Sequence, residues 1–569
     1  MNPTTPAIVA QRAVSRLPRV ALLLFCIAYV LPGFFGRSPW KGADMSAYGF
    51  MAELANGRTN WLSPHLLGFT PDVDALLPYW LGAWAIQITP TWISPDFAAR
   101  IPFILLLTLT LFATWYGTYY LARSPEAQPI AFAFGGEARP ADYARALADG
   151  GLLAFIACLG LAQLSHETTP ALAQLCFTAL TFYALAALPH HSVTPALAGG
   201  LGLAGLALSG APTLAVLLGS GGAVIHLLEH STTTENKLSK TFCVAGIALV
   251  TALVALLGVV LNLWHWRIEL PEASWQEWRS LGRLLLWFTW PAWPLAVWTL
   301  WRWRHQWLRG GAPSRHLALP VWFAGVAIGA TLTTTAADRS LLLALPALAA
   351  LAAFALPTLG RSVAALIDWF TLIFFSGCAL IIWIVWIALQ TGVPSQPAAN
   401  VARLAPGFQH SFSFAPFLIA IAATLAWAWL VKWRVGRHRA AIWKSLVLPA
   451  GGAALSWLLL MTLWLPLLDF ARSYAPLIRR TMVVMKQQPR CVEELGLSRG
   501  QIAAFQFHGE LVVKPLGSKT NCPWLIVDKD AAKSTVIIAE MSQWTFNSAI
   551  RHPSDKDEDL LLYKRITPP

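Results

Sequence analysis

Apolar runs of roughly 18–25 residues, separated by short polar stretches, recur along most of the chain, and each is long enough to cross a hydrocarbon core as a helix. They predict spans near 18–36, 101–122, 148–164, 170–188, 195–208, 212–229, 242–264, 282–301, 317–334, 340–357, 364–390, 411–431 and 446–467. That makes about thirteen, of which the pair 195–208 and 212–229 is short and Gly-rich. The loop 37–100 is hydrophilic but carries aromatic, amphipathic pieces at Ala47–Leu54 and Leu76–Ile88, which suit helices lying along a membrane surface. A similar piece is 265–281, where Trp266, Trp275 and Trp278 alternate with Glu269, Glu272, Glu277 and Arg279. After the last span the pattern changes. Strand-like stretches at Ile502–Phe507, Leu511–Val513, Trp524–Val527 and Thr535–Ala539 alternate with turn residues. The expectation is an all-α polytopic membrane protein with a small C-terminal α/β domain, divided into 1–470 and 471–569.

Composition agrees with that pattern. The hydrophobic fraction is 56% and only 12% of residues are charged, too apolar a balance for a soluble fold. Many of the 29 tryptophans sit at run ends, as Trp287, Trp290, Trp293, Trp301 and Trp303 do, where an amphipathic ring suits the headgroup level.

The net charge of +13 raises the question of nucleic acid, but the basic residues lie in short loops between spans and read as topology signals. Arg12, Arg16, Arg19, Arg123, Arg139, Arg145, Lys237, Lys240, Arg302, Arg304, Arg361, Lys432 and Arg434 fall in one set of loops, while the alternate set is poor in them. The positive-inside rule then places the N-terminus in the cytoplasm. An odd number of spans places 468–569 outside. The first span lacks a cleavage site and reads as retained.

Cys26, Cys158, Cys176, Cys243 and Cys378 fall in apolar spans, as small buried thiols do. Cys491 and Cys522 are the two in the terminal domain, in an oxidising compartment by this topology, and are expected to form a disulfide. No Cys/His spacing of metal type occurs, so a divalent metal has no support from the sequence.

Carboxylates near a bilayer are costly and tend to be functional. Asp44, Asp72 and Asp74 lie within about thirty residues of one another, just after the first span. Asp44 is either a catalytic base or the N-cap of a surface helix. Asp72 follows Pro71 and is a turn or N-cap residue or, like Asp74, part of a site. His166 and Glu167 occupy a tight turn between two spans. Glu167 is a candidate cavity carboxylate, and His166 either a proton shuttle or a cap. Asp338 and Arg339 form an ion pair at a helix start, or Arg339 reaches an anion.

Several of these segments together resemble the ArnT-like and protein O-mannosyltransferase group of GT-C glycosyltransferases. The resemblance rests on Ala43-Asp44-Met45-Ser46-Ala47-Tyr48-Gly49, on Trp61-Leu62-Ser63-Pro64-His65-Leu66-Leu67-Gly68, on Tyr79-Trp80, and on Asp338-Arg339-Ser340-Leu341-Leu342-Leu343-Ala344-Leu345-Pro346. It implies a bacterial inner-membrane enzyme with a periplasmic active site. The donor would be an undecaprenyl-phosphate-linked sugar and the acceptor a lipid, such as lipid A, or an envelope glycan. Asp44 would be the base, with Glu167 in the same cavity and Tyr48 in the acidic motif. Two lysines that meet the donor phosphate in that group are replaced here, one at Asp74 and one within Ser209-Gly210-Ala211-Pro212. Arg58, Arg100, Arg267 and Arg339 are the substitutes, since guanidinium pairs bidentately with phosphate. Two other readings stay open: a transporter or flippase, whose site would lie mid-membrane on broken helices, and a non-catalytic subunit that binds a lipid-linked sugar.

Overall fold

The computed structural model describes residues 5–229, 234–264, 274–308, 314–334, 337–435, 441–485, 489–518, 522–529, 531, 543–555 and 558–566. Arg267, Trp266, Glu269, Glu272 and the stretch Thr535–Ala539 lie outside them.

Among the described residues six helices are long and apolar enough to cross a membrane: Pro95–Ala122, Pro170–Ala187, Lys240–Val260, Arg361–Thr391, Phe414–Arg434 and Lys444–Leu463. Arg19–Val30, Val193–Leu208, Pro212–Leu228 and Leu345–Thr358 are shorter apolar helices. Proline opens Pro95–Ala122, Pro140–Ala157, Pro170–Ala187 and Pro212–Leu228. Its ring presets the helical φ, and its missing N–H falls where no partner exists. Pro170–Ala187 and Lys444–Leu463 are the most enclosed, whereas Lys240–Val260, Arg361–Thr391 and Phe414–Arg434 line the outside. Close approach of the inner helices depends on missing side chains. A Cβ on Gly151 would meet the Thr118 hydroxyl at 2.9 Å, and one on Gly202 would meet that of Thr181 at 2.4 Å.

Several predicted spans are interrupted. The run 282–301 is two helices, Trp275–Phe288 and Ala292–Arg302, and 340–357 is divided between Ala337–Leu342 and Leu345–Ala355. In both, a proline near the start of the second helix withholds the amide that would continue the first.

The polar segments gather at one end of the bundle. There the helices Ala43–Ala55 and Leu77–Ile88 pack on each other, and Ala43–Ala55 also packs against the terminal domain. That domain has a five-stranded sheet of order β2-β1-β3-β5-β4: β1 Cys491–Leu495, β2 Val512–Pro515, β3 Trp524–Asp528, β4 Trp544–Arg551 and β5 Asp559–Arg565. β1 runs parallel to β2 and β3 (Glu493 opposite Leu525), while β3, β5 and β4 are antiparallel.

Parallel β1 and β2 need a crossover, and the helix Arg499–His508 supplies it. The stretch Ile502–Phe507, expected as a strand, lies inside that helix. Its β-prone residues are overridden by a capping box, in which Ser498 and Gln501 satisfy each other's backbone amides. Cys491 and Cys522 are joined by a disulfide, their Cα atoms 5.5 Å apart.

The domain is tied to the membrane part at several points. Lys41 Nζ pairs with Asp555 at 2.6 Å, and Arg499 pairs with Asp72 and donates from Nε to Thr70 O at 2.6 Å.

Candidate active site

Asp44 lies in the first turn of Ala43–Ala55, and Gly42 is the N-cap. The carboxylate therefore does not cap its own helix; it gathers the surrounding loops. Oδ2 accepts from Arg37 Nη1 at 2.7 Å and from the Trp40 amide at 3.0 Å. Oδ1 accepts from the Thr168 amide at 2.7 Å and from the Thr168 hydroxyl at 2.6 Å. Four donors fill the acceptor sites of a carboxylate. Burial pushes the Asp44 pKa up, but Arg37, Arg100 and the Thr168 hydroxyl outweigh it and hold it at about 2.

Arg37 is equally committed. Its Nε donates to Gly33 O at 2.6 Å, Nη1 also to Ser38 O at 3.1 Å, and Nη2 to His166 O at 2.7 Å. Gly33 has φ +95°, and a Cβ there would lie 2.5 Å from the Trp457 ring, so no other residue fits.

Glu167 is the next residue to Thr168 and is buried, with a different environment. Oε1 accepts from Gln163 at 3.0 Å, and Oε2 faces Arg339 Nη2 at 3.5 Å. Burial, and then the negative charge of Asp44, raise its pKa above the usual carboxylate value; Gln163 and Arg339 offset part of this. Arg339 is a third exposed, yet its Nε is buried with no hydrogen-bond partner among the described residues. An orphaned guanidinium N–H of that kind is a vacancy for an anionic oxygen.

His166 is wedged among the rings of Tyr29, Phe34 and Trp457. Nδ1 lies 2.5 Å from Ala162 O and Nε2 3.0 Å from Tyr29 O. Burial pushes its pKa down to about 4, and a neutral ring, with one N–H, can donate to only one of these two carbonyls.

The other sequence candidates fall into separate places. Tyr48 is buried edge-on against Phe507 of the terminal domain, and burial raises its phenol pKa. Arg58 is half-exposed and pairs with Glu53 at 3.3 Å. Asp72 is held by Arg499. Burial, and then the charges of Asp72 and Asp74, raise the pKa of the Tyr79 phenol, and Arg499 and Arg339 offset part of this.

The two turns where the resembling group carries lysines are packed together: the Leu76 amide donates to Leu208 O at 2.8 Å, and Gly210 abuts the backbone of Asp74. A cavity of about 350 Å³ adjoins the Asp44 cluster, lined by Arg37, Ser38, Asp96, Arg100 and Asp469. Among the described residues no group of three or more His, Cys, Asp or Glu could hold a metal ion.

Sequence reasoning missed Arg37, Gln163 and Thr168. An arginine seven positions before Asp44, in a loop set otherwise poor in cations, was the available signal for the first. Thr168 carried none, because a threonine in a tight turn is common.

The overall path of the chain matches solved structures. ArnT from Cupriavidus metallidurans bound to undecaprenyl phosphate aligns with a TM-score of 0.59 at 12% identity, over 96% of both chains. The same protein in its apo state aligns with a TM-score of 0.55 at 13% identity, over 96% of both. The chain has the ArnT-like GT-C fold. Neither a scan of protein-family models nor a search of curated protein sequences returns a match, so the likeness is one of GT-C architecture and not of close sequence.

Proposed function

We propose that this chain is a bacterial inner-membrane glycosyltransferase. It moves a sugar from an undecaprenyl-phosphate donor to a lipid or glycan acceptor, lipid A among them. The reaction takes place at the end where the terminal domain docks, which is periplasmic, with the N-terminus cytoplasmic. In one displacement the acceptor oxygen bonds to the anomeric carbon as the bond from that carbon to the phosphate oxygen breaks. The acceptor proton passes to a carboxylate, polyprenyl phosphate leaves, and the anomeric centre inverts.

One observation carries the assignment of roles: Thr168, the residue next to Glu167, holds Asp44, while the environments of the two carboxyls push them apart, Asp44 to about 2 and Glu167 upward. Glu167 is the base, since a raised pKa improves proton capture. Asp44 is the anchor that sets the turn and holds Arg37. Arg339, whose Nε has no hydrogen-bond partner among the described residues, meets the leaving phosphate in place of the missing lysines.

Mass spectrometry of envelope glycolipids from cells carrying wild type, a deletion, or Glu167→Gln tests this reading. A sugar mass lost from one acceptor in both the deletion and Glu167→Gln, with the variant still in the membrane, names the acceptor. Loss in the deletion alone would point to a non-catalytic subunit.

A further inference from the structure

A second feature runs along the helix Arg19–Val30, with its charged end at the end of that helix remote from Asp44. The helices Arg19–Val30, Pro95–Ala122 and Pro140–Ala157 enclose a groove of about 580 Å³ that reaches from Arg16 to Leu31. Arg16, Arg19 and Arg145 stand at one end of it, and its walls are apolar. Leu23, Ile27 and Phe112 in those walls are each more than half exposed, so the groove opens sideways from the bundle.

The helix Arg19–Val30 is about 18 Å long, close to the ~15 Å depth of one leaflet's hydrocarbon. The shape is that of one acyl chain with a cationic rim where its headgroup would lie. Two carboxylates are nearby and are already occupied. Asp142 pairs with Arg16 at 3.2 Å and Arg145 at 3.6 Å. Asp149 accepts from the Trp115 indole at 2.9 Å and the Leu17 amide at 3.4 Å. Three cations against two anions leave the rim net positive, and Arg19 belongs to neither carboxylate's set of contacts.

We propose that this groove is a binding site for an anionic glycerophospholipid of the leaflet opposite the Asp44 cluster. Its phosphate meets Arg16, Arg19 and Arg145, and one acyl chain lies along Leu23, Ile27 and Phe112. The site is separate from the donor site, whose phosphate belongs at the other end. Its occupant braces the helix Arg19–Val30, whose far end leads through Gly33 into Arg37.

The test reconstitutes the full chain in vesicles of equimolar phosphatidylglycerol and phosphatidylcholine, extracts it gently, and quantifies the retained lipid by mass spectrometry. Phosphatidylglycerol should be enriched roughly fivefold over the bulk ratio, the gain expected for one net cation near a membrane surface. Arg16→Gln/Arg19→Gln/Arg145→Gln should return the ratio to bulk, and Ile27→Trp should expel the retained lipid with the arginines intact. A bulk ratio in the wild type, or enrichment unchanged in the triple variant, overturns the proposal. If the triple variant does not accumulate, Arg19→Gln alone decides: reduced enrichment supports the site and unchanged enrichment overturns it. Displacement of the phosphatidylglycerol by added polyprenyl phosphate would make the groove a second polyprenyl site and overturn the phospholipid assignment.

Discussion

Thr168 donates both its backbone amide and its hydroxyl to the same oxygen of Asp44, at 2.7 and 2.6 Å, although 124 positions separate them. The loop after the first predicted span and the turn between the helices Pro140–Ala157 and Pro170–Ala187 are thus one polar unit. The other oxygen of Asp44 holds Arg37, a buried guanidinium. Removing the charge of Asp44 leaves that guanidinium without its counter-ion, which typically costs 3–5 kcal/mol. Asp44→Asn should therefore lower the melting temperature of the detergent-solubilised protein, and Thr168→Val should lower it by less. An Asp44→Asn protein as stable as wild type would show that Asp44 is not an anchor.

The same carboxylate predicts an acid limb of stability. Its folded pKa of about 2 lies below the unfolded value of 3.8. The stabilisation is therefore fully present above pH 3.8 and is lost as pH falls toward 2, amounting to about 2 kcal/mol for this group. Glu167 has the opposite sign: its raised pKa favours the folded state at low pH and weakens it as pH rises through that value. Thermal melts of wild type and Thr168→Val between pH 2 and 5 should differ most at the upper end of that range, where the ionised Asp44 has a full set of donors to lose.

Catalysis should follow Glu167 instead. A general base contributes typically 10²–10⁴-fold, so Glu167→Gln should reduce transfer by about that factor with little change in melting temperature. Because the base must be ionised, wild-type activity should fall off on the acid side at a pH above the ordinary glutamate value. An acid limb that persists unchanged in the residual activity of Glu167→Gln would assign it to another group.

Arg339 makes a separable prediction. Its Nε, without a partner among the described residues, and its weak contact with Glu167 at 3.5 Å leave it able to pair with a phosphate. Arg339→Gln should reduce kcat/KM for the lipid-linked donor by roughly 10- to 100-fold, the value of one or two charge-assisted hydrogen bonds. Arg339→Lys should restore part of it, because lysine keeps the charge but not the fork. Equal loss in both variants would mean that shape, and not charge, matters at this position.

Much of the architecture was legible in the sequence because membrane helices must satisfy their own backbone and so announce themselves as long apolar runs. The surface helices at 43–55 and 77–88 were legible for a related reason, as aromatic residues recurred at helical spacing. The helix Arg499–His508 was not, because Ile502, Phe505 and Phe507 read as strand residues while the deciding contact is the local Ser498–Gln501 cap. At the site, charge made Asp44 and Glu167 stand out. What each does depends in part on partners more than a hundred residues away, Thr168 for Asp44 and Arg339 for Glu167, and no local pattern encodes those contacts.

The terminal domain offers a final test that is independent of catalysis. Cys491 begins β1 and Cys522 lies two residues before β3, so the disulfide pins two neighbouring parallel strands across a separation of 31 residues. In the chain-entropy picture, closing a loop of that length stabilises the fold by roughly 3 kcal/mol. Cys491→Ser/Cys522→Ser should therefore lower the melting temperature, and a reductant should destabilise the wild type but not the double variant. The domain also reaches the candidate site, since Arg499 on its crossover helix holds Asp72 and Thr70. Loosening it should weaken protection of the loop around Asp72 in hydrogen exchange while leaving the buried helix Pro170–Ala187 unchanged. Loss of protection throughout the membrane helices would mean that the sheet is needed to fold the whole chain and is not a docked, separately stabilised cover.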